Sequence, residues 1–228
     1  MKQLTLLFCF ISFFAVITTS CKESGFKNMK EGEVYYSIRY IKNPSSLPPE
    51  LLPKELVISF KNDKMCSELR TPFGGSGIST VVDPKAGVYD TYLNMLTLKL
   101  YYEGKEKDIQ PGFSYMKIAS LKETGNSRDI AGYKCKEVQV KLEGSDSARY
   151  VWYTNEIKVD DPNQHTPYKD IDGVLMDFFY IIGQADMAFT ADAVFAKEVP
   201  EKNFEKKKNY RQVSCGYLDS LIVKMISY

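Results

Sequence analysis

The sequence predicts a mostly β protein, built on a single curved antiparallel sheet with one or two short helices. Short segments rich in β-branched and aromatic residues recur along the chain, and turn residues separate them at hairpin-like spacing. No helical period of apolar residues runs between these segments, which favours an antiparallel meander over alternating strands and helices. After an N-terminal leader about two hundred residues remain, enough for one domain with its own core.

The N-terminal leader has the layout of a secretory signal: Lys2 is followed by an apolar run over residues 4–17 and then by small residues. The run is about 14 residues long, shorter than the roughly 20 of a membrane-spanning helix, so we expect it to be cleaved. Because Cys21 directly follows Ser20, we predict a lipoprotein signal with cleavage between Ser20 and Cys21 and lipid attachment at Cys21. The alternative is an ordinary signal with a chance cysteine.

These boundaries define three regions: a lipoprotein signal peptide over residues 1–20, a lipidated tether over residues 21–31 and an antiparallel β domain over residues 32–228. The tether is short and polar, as a spacer between membrane and domain would be. Several acyl chains would hold the protein stably on the membrane, since each buried methylene contributes about 0.8 kcal/mol. The formal charge of +1 gives no indication of a nucleic-acid partner.

The first half of the domain divides into strands at its turn residues. A strand over residues 33–40 is followed by an irregular, proline-rich excursion over residues 43–53. The clearest hairpin pairs residues 55–61 with residues 64–71, because the Asn-Asp pair between them tolerates the positive φ of a tight turn. The register of this hairpin places on one buried face Leu56, Ile58, Phe60, Met65 and Leu69.

The second half continues the pattern up to a C-terminal segment with two interpretations. Residues 217–226 carry apolar side chains at helical spacing, so a short packing helix and a last strand are equally favoured. The glycine-rich residues 72–77 lack the Lys-Ser or Lys-Thr of a phosphate loop. The remaining predicted strands span residues 78–82, 88–93, 98–102, 113–121, 132–142, 148–159, 174–182 and 187–199.

Few residues carry catalytic or metal-binding chemistry. His165 is the single histidine, which excludes a multi-histidine zinc site, and its turn-rich loop predicts an exposed ring. The densest acidic cluster lacks the spacing of a calcium loop, so we interpret it as a solvated loop. We therefore predict a non-enzymatic protein without metal or cofactor, and a hydrolase that uses this acidic loop is the remaining alternative. The cluster consists of Asp160, Asp161, Asp170 and Asp172.

Three cysteines fall inside the domain. Cys66, Cys135 and Cys215 lie in apolar-flanked segments where a buried free thiol is common. An odd number allows at most one disulfide, and an oxidising envelope compartment permits one, so both states stay open.

Aromatic and aliphatic side chains recur at alternate positions of several predicted strands. The simpler interpretation is an ordinary β core. The alternative is that a strongly curved sheet leaves its apolar concave face partly unfilled, which creates a pocket for a lipid or another hydrophobic ligand. The candidate ligand-lining residues are Tyr36, Ile38, Tyr40, Met116, Ile118, Phe178 and Tyr180.

Three segments resemble the envelope proteins called the GLPGLI family, from the Bacteroides group: residues 130–138 (IAGYKCKEV), 151–157 (VWYTNEI) and 171–176 (IDGVLM). The resemblance implies a half-barrel of the LolA/LolB type, in which a curved antiparallel sheet wraps around helices and can shelter acyl chains. Together with the signal, it implies an outer membrane lipoprotein, on the periplasmic face or at the cell surface.

The predicted function is that of a membrane-anchored envelope lipoprotein, non-enzymatic, which binds a hydrophobic or lipid-like ligand on the concave face of its sheet. Its predicted partners are the membrane, through the lipid anchor, and either the hydrophobic ligand or an envelope protein. The alternative function is a structural or assembly subunit of an envelope protein complex.

Overall fold

The computed structural model describes residues 28–45, 48–72, 76–95 and 97–227. These residues form one large curved sheet of twelve strands, one α-helix and two short 3-10 turns, which confirms the predicted fold class. The predicted signal peptide, its cleavage site at Ser20 and the lipid attachment site at Cys21 lie outside the described residues. The elements are β1 (Glu31–Lys42), β2 (Glu55–Lys61), β3 (Lys64–Arg70), β4 (Ser76–Asp83), β5 (Val88–Met95), β6 (Leu98–Tyr102), β7 (Ile118–Ile130), β8 (Tyr133–Leu142), β9 (Ala148–Thr154), β10 (Val174–Ile182), β11 (Ala185–Phe195), β12 (Arg211–Gln212) and α1 (Cys215–Ser227), with 3-10 turns at Pro49–Leu51 and Glu201–Phe204.

The sheet consists of two antiparallel meanders joined in the middle. Its strand order is β12-β6-β5-β4-β3-β2-β1-β11-β10-β9-β8-β7, and neighbouring strands are antiparallel except for β12 beside β6. The first strand, β1, lies near the centre of the sheet, and β2 to β6 follow it outward in order. The chain then crosses to β7 at the opposite edge, and β8 to β11 return from there to the other side of β1. The β6–β7 connection (103–117) therefore crosses the sheet, and together with the β9–β10 connection (155–173) it lies over the concave face.

The β2–β3 hairpin forms as predicted. Leu56 pairs with Leu69 and Phe60 with Met65 across the two strands. Asn62 adopts a positive φ of 56° in the turn, the backbone conformation that its residue type tolerates. Local turn chemistry and alternation are therefore sufficient to set this register.

The described end of the predicted tether is part of the folded domain. β1 begins at Glu31, and Met29 forms an isolated bridge with Ile157 of the β9–β10 connection. Met29 is only 7% exposed and packs in the main core, so the chain is fixed to the domain from this point onward.

The C-terminal segment forms a helix, α1, that packs on the concave side. Its apolar residues Leu218 and Ile222 are buried, and the helix contacts β6 and β10. Gly183, in the β10–β11 turn, has a φ of 58°, and a Cβ there would lie 2.3 Å from Ser227 Oγ. Glycine is therefore required where α1 approaches the turn, and Ser227 Oγ donates a hydrogen bond to the Ile182 carbonyl at 2.8 Å.

The strand predicted over residues 113–121 is wrong at its start and too short at its end. β7 begins only at Ile118 and continues to Ile130. The segment before it is a turn, because the Asp219 carboxylate of α1 accepts hydrogen bonds from the Gly112 N–H and the Ser114 hydroxyl, each at 2.7 Å. A contact from a distant helix thus decides the local conformation.

Two other strands end earlier than predicted. β9 stops at Thr154 instead of residue 159, because the Thr154 hydroxyl accepts the Glu156 N–H at 3.1 Å and turns the chain. β11 stops at Phe195 instead of Val199, since the chain then leaves the sheet and folds back over its convex face.

A second, smaller core lies on that convex face. The β11–β12 connection (196–210) covers β3, β4 and β5 there, and the 3-10 turn in it supplies a buried phenylalanine. The side chains buried in this core are Cys66, Val81, Tyr92, Val199 and Phe204.

Cys66, Cys135 and Cys215 are free thiols, located on β3, on β8 and at the first residue of α1. The disulfide that the cysteine count left open is therefore not formed between any two of them. Burial raises the pKa of the Cys66 and Cys135 thiols to about 12.

Candidate functional site

A cavity of about 370 Å³ lies between the concave face of the sheet and the two long connections. Strands β1 to β4, β10 and β11 form its wall, and Ile222 of α1 closes part of it. Its volume falls in the range of about 300–1,000 Å³ that small-molecule sites occupy. The apolar wall includes Tyr36, Leu56, Ile58, Phe60, Met65, Leu69, Ile78, Phe178, Tyr180 and Phe189.

Strand alternation produces this apolar wall, and the cavity leaves part of it uncovered. Ile58, Met65 and Ile78 point inward from β2, β3 and β4, and each of them stays partly exposed. On the opposite face of the same strands Cys66 and Val81 are 4% and 0% exposed under the β11–β12 connection. Apolar side chains normally fill the inner face of such a sheet, so the open space on this side is a specific feature of the fold.

An aromatic cluster forms the rigid part of the wall. Phe178 stacks on Phe189 with ring centroids 5.0 Å apart and planes 7° from parallel, and Tyr180 contacts both rings edge-on. Tyr36 packs against Phe178 and donates a hydrogen bond from its hydroxyl to the Leu175 carbonyl at 2.8 Å. Burial raises the pKa of Tyr36, so this hydroxyl keeps its proton.

His165 joins the two connections at the rim of the cavity. Its Nδ1 lies 2.9 Å from the Asp108 carbonyl, and its own carbonyl accepts the Gln110 N–H at 3.0 Å. Its ring packs on Tyr89 at 5.0 Å between centroids. The prediction of an exposed His165 is therefore wrong: the residue is 6% exposed, because the β6–β7 connection folds over it.

The backbone partner of Nδ1 defines the tautomer of the His165 ring. A backbone carbonyl only accepts, so Nδ1 carries the hydrogen and donates it to the Asp108 oxygen, which leaves Nε2 as an acceptor. Nε2 is buried and has no hydrogen-bond partner within the part of the chain that the structure describes. A buried acceptor at a cavity wall is costly without a donor, and a ligand is one source of that donor.

The charged residues of the cavity lining are acidic. They are Asp63, Glu106, Asp160 and Asp161, and no lysine or arginine lies among the described lining residues. Lys85 pairs with Asp63 at 3.1 Å, and its hydrogen bond lowers the pKa of that carboxyl. Asp160 and Asp161 are exposed at the solvent side of the cavity.

The structure divides the predicted acidic cluster between two places. Asp160 and Asp161 reach the cavity, whereas Asp170 and Asp172 line a separate, polar depression beside β7, β8 and β9. No group of three or more potential ligands that could hold a metal ion is present in residues 28–45, 48–72, 76–95 and 97–227.

The sequence-predicted lining residues are separated in the same way. Tyr36, Phe178 and Tyr180 lie together in the cavity wall. The other four lie apart from it: Met116 is buried in the main core, the Tyr40 hydroxyl donates to the Pro53 carbonyl at 3.0 Å, and Ile38 and Ile118 pack partly buried against the core.

Sequence reasoning did not assign the lining residues of β2 to β4 or of the two connections to the predicted apolar pocket. The signal for the strand residues was present, because the β2–β3 hairpin pattern already placed Ile58 and Met65 on one apolar face. No local signal marked His165, since its burial depends on Asp108, far away in the sequence.

The likeness to solved structures is one of fold. No protein-family model and no curated protein matches the sequence. The chain is similar to a solved structure of PNGF-II, with a TM-score of 0.53 and 14% sequence identity over 85% of this chain and 33% of that one. This chain thus spans about a third of the length of PNGF-II. A second structure, LprF from Mycobacterium bovis, matches with 12% identity over 74% of this chain and 88% of LprF, but its TM-score of 0.26 is too low to support an argument.

No helix in the described ranges has both the length and the apolar character that crossing a membrane requires.

Proposed function

We propose that this protein is an envelope lipoprotein that binds an apolar, lipid-like molecule in its concave cavity and performs no catalysis. The observation that carries the proposal is the uncovered apolar wall of a cavity of about 370 Å³. Ile58, Met65 and Ile78 stay partly exposed there, although their counterparts on the convex face are buried. Leaving them open costs hydrophobic free energy that a bound apolar chain would recover, at about 25 cal/mol per Å² of apolar surface.

The anchor is the second part of the proposal. The order of Lys2, an apolar run and Ser20-Cys21 supports export followed by lipidation of Cys21. An outer membrane location, on the periplasmic face or at the cell surface, and kinship with the GLPGLI proteins of the Bacteroides group belong to the same proposal. An anchored protein with an apolar cavity would meet its ligand in or near the membrane that carries it.

Binding of the neutral fluorophore N-phenylnaphthylamine to the purified protein tests this function. Fluorescence should rise on binding and saturate at one fluorophore per protein. Ile58→Trp places a larger ring in the cavity and displaces about two to three methylenes of a ligand, or about 2 kcal/mol. We expect its affinity to fall about 30-fold.

Ile118→Trp is the matched control, because Ile118 is also a partly buried isoleucine packed against the core but lies outside the cavity lining. It should bind the fluorophore as the wild type does. Equal affinity of the wild type and Ile58→Trp, or no saturable binding at all, would remove the proposal.

A second candidate function is a structural or assembly subunit of an envelope complex. The sheet edge at β7 supports it, because β8 is the only partner of β7 among the described strands and residues 122–129 are exposed along it. An unpaired edge strand can accept a strand from another chain. A photo-crosslinker at Thr124 in cells should then capture one dominant partner, and the same probe at Ser145, in the exposed β8–β9 turn, should not.

A further inference from the structure

The charged side chains at the rim of the cavity are carboxylates, and the lining residues also include one acceptor without a partner in the described structure. Glu106, Asp160 and Asp161 are exposed carboxylates on the solvent side of the lining. His165 is only 6% exposed, and its Nε2 is a buried acceptor without a partner in the described structure. These two observations are independent, and both call for a donor on the ligand.

Several other polar side chains of the lining already have partners within the protein. The Ser67 and Thr80 hydroxyls bond to each other at 2.5 Å. The Asn163 amide donates to two backbone carbonyls at 2.8 Å, and the Thr166 hydroxyl donates to the Asn163 carbonyl at 2.9 Å. These groups are therefore not free to neutralise an anionic ligand head.

The carboxylates of this rim would repel a ligand with a carboxylate or phosphate end. Its charge would approach three exposed carboxylates without a lysine or arginine among the described lining residues. Its oxygens would also face the lone pair of His165 Nε2. An ammonium or hydroxyl end reverses both effects, since it offers hydrogens to Nε2 and, when charged, attracts the carboxylates.

We propose that the cavity selects a chain-like apolar ligand whose polar end donates hydrogen bonds. It binds a protonated amine more tightly than a hydroxyl, and it rejects anionic ends. This inference rests on the proposed binding function and specifies the ligand class. Asp160 and Asp161 supply the charge preference, and His165 Nε2 supplies the acceptor for the donor group.

Displacement of N-phenylnaphthylamine by three probes with the same alkyl chain tests the selection. Dodecylamine should compete best, dodecanol next and dodecanoate worst. We expect about tenfold between the amine and the carboxylate at low salt, because several exposed charge pairs each contribute modestly. The difference should narrow at high ionic strength.

Two variants separate the charge effect from the hydrogen bond. The double variant Asp160→Asn with Asp161→Asn should weaken dodecylamine about threefold to tenfold and leave dodecanol unchanged. His165→Asn keeps a side-chain N–H for the Asp108 carbonyl but has no Nε2, so dodecanol and dodecylamine should both weaken about fivefold. Asp170→Asn with Asp172→Asn, outside the cavity, is the matched control and should change none of the three.

Dodecanoate binding as tightly as dodecylamine, or an unchanged amine-to-carboxylate ratio in the Asp160→Asn, Asp161→Asn protein, would overturn this inference alone. The binding function would stand in that case. If neither the fluorophore nor any of the three probes binds, both the inference and the proposed function are refuted.

Discussion

Asp219 of α1 holds the β6–β7 connection over the cavity, and its removal should destabilise the fold by a predictable amount. Its carboxylate accepts the Gly112 N–H and the Ser114 hydroxyl, both at 2.7 Å. Each bond to a charged acceptor in a partly exposed site contributes about 1 kcal/mol, so Asp219→Ala should cost about 2 kcal/mol of unfolding free energy. For a domain of this size the melting temperature should fall by about 4–8 °C.

Urea unfolding of the variants, followed by circular dichroism, gives these free energies. Asp219→Asn keeps one acceptor oxygen and should lose about half as much. Ser114→Ala removes one of the two bonds and should cost about 1 kcal/mol by itself, but little more in a chain that already carries Asp219→Ala. Full additivity of Ser114→Ala and Asp219→Ala, or wild-type stability of Asp219→Ala, would contradict this account of the anchor.

Three further predictions concern pH, thiol reactivity and the anchor. Burial opposes ionisation of Glu33, but the hydrogen bond from Lys197 at 2.7 Å helps to hold its pKa below the ordinary 4.5. The ionised Glu33 therefore contributes its full stabilisation above pH 4.5, and this contribution is lost as the pH falls through the lower pKa of the folded state. Urea unfolding between about pH 6 and pH 3 should show that the stability of Glu33→Gln depends less on acid than that of the wild type. In peptide-resolved maleimide labelling of the native protein, partly exposed Cys215 should react before buried Cys66, and equal rates would contradict the burial of Cys66. Cys21→Ala should move the protein from the membrane fraction to the soluble fraction of the cell, and an unchanged membrane fraction would refute lipid anchoring there.

Local sequence information was sufficient for the strands whose partner is the next strand along the chain. The β2–β3 hairpin is specified by its alternation and by Asn62, which takes the positive φ of the turn. The β4–β5 hairpin and β6 follow the same logic. The pairing of β1 with β11, which joins the two meanders, has no local signal, because the two strands lie at opposite ends of the domain sequence.

The second half of β7 was missed because it lacks an apolar alternation. Residues 122–129 are exposed, as expected for a strand at the sheet edge, and such a polar run resembles a loop. The signal that could have found it is the turn after Ile130: Ala131 and Gly132 both adopt positive φ, the conformation of a two-residue hairpin loop. A strand had to precede that turn to pair with β8.

The site was predictable as a type but not as a set of residues. Alternation along the strands indicated an apolar concave face, and Tyr36, Phe178 and Tyr180 do lie in the cavity wall. Whether a given inward-facing residue meets a cavity or a packed core depends on where the connections cross. That position is set by contacts such as those of Asp219 and His165, which join segments far apart in the sequence.

The central claim is that the cavity holds an apolar ligand, and the molecule that the protein carries from its own cell tests this most directly. The experiment compares the wild type, Ile58→Trp and the Ile118→Trp control, each purified without exchanging the detergent. Bound molecules are extracted from each protein with organic solvent and identified by mass spectrometry. We predict one class of apolar molecule at near-stoichiometric amounts in the wild type and in Ile118→Trp, and its loss in Ile58→Trp. The same extract from all three proteins would contradict the claim.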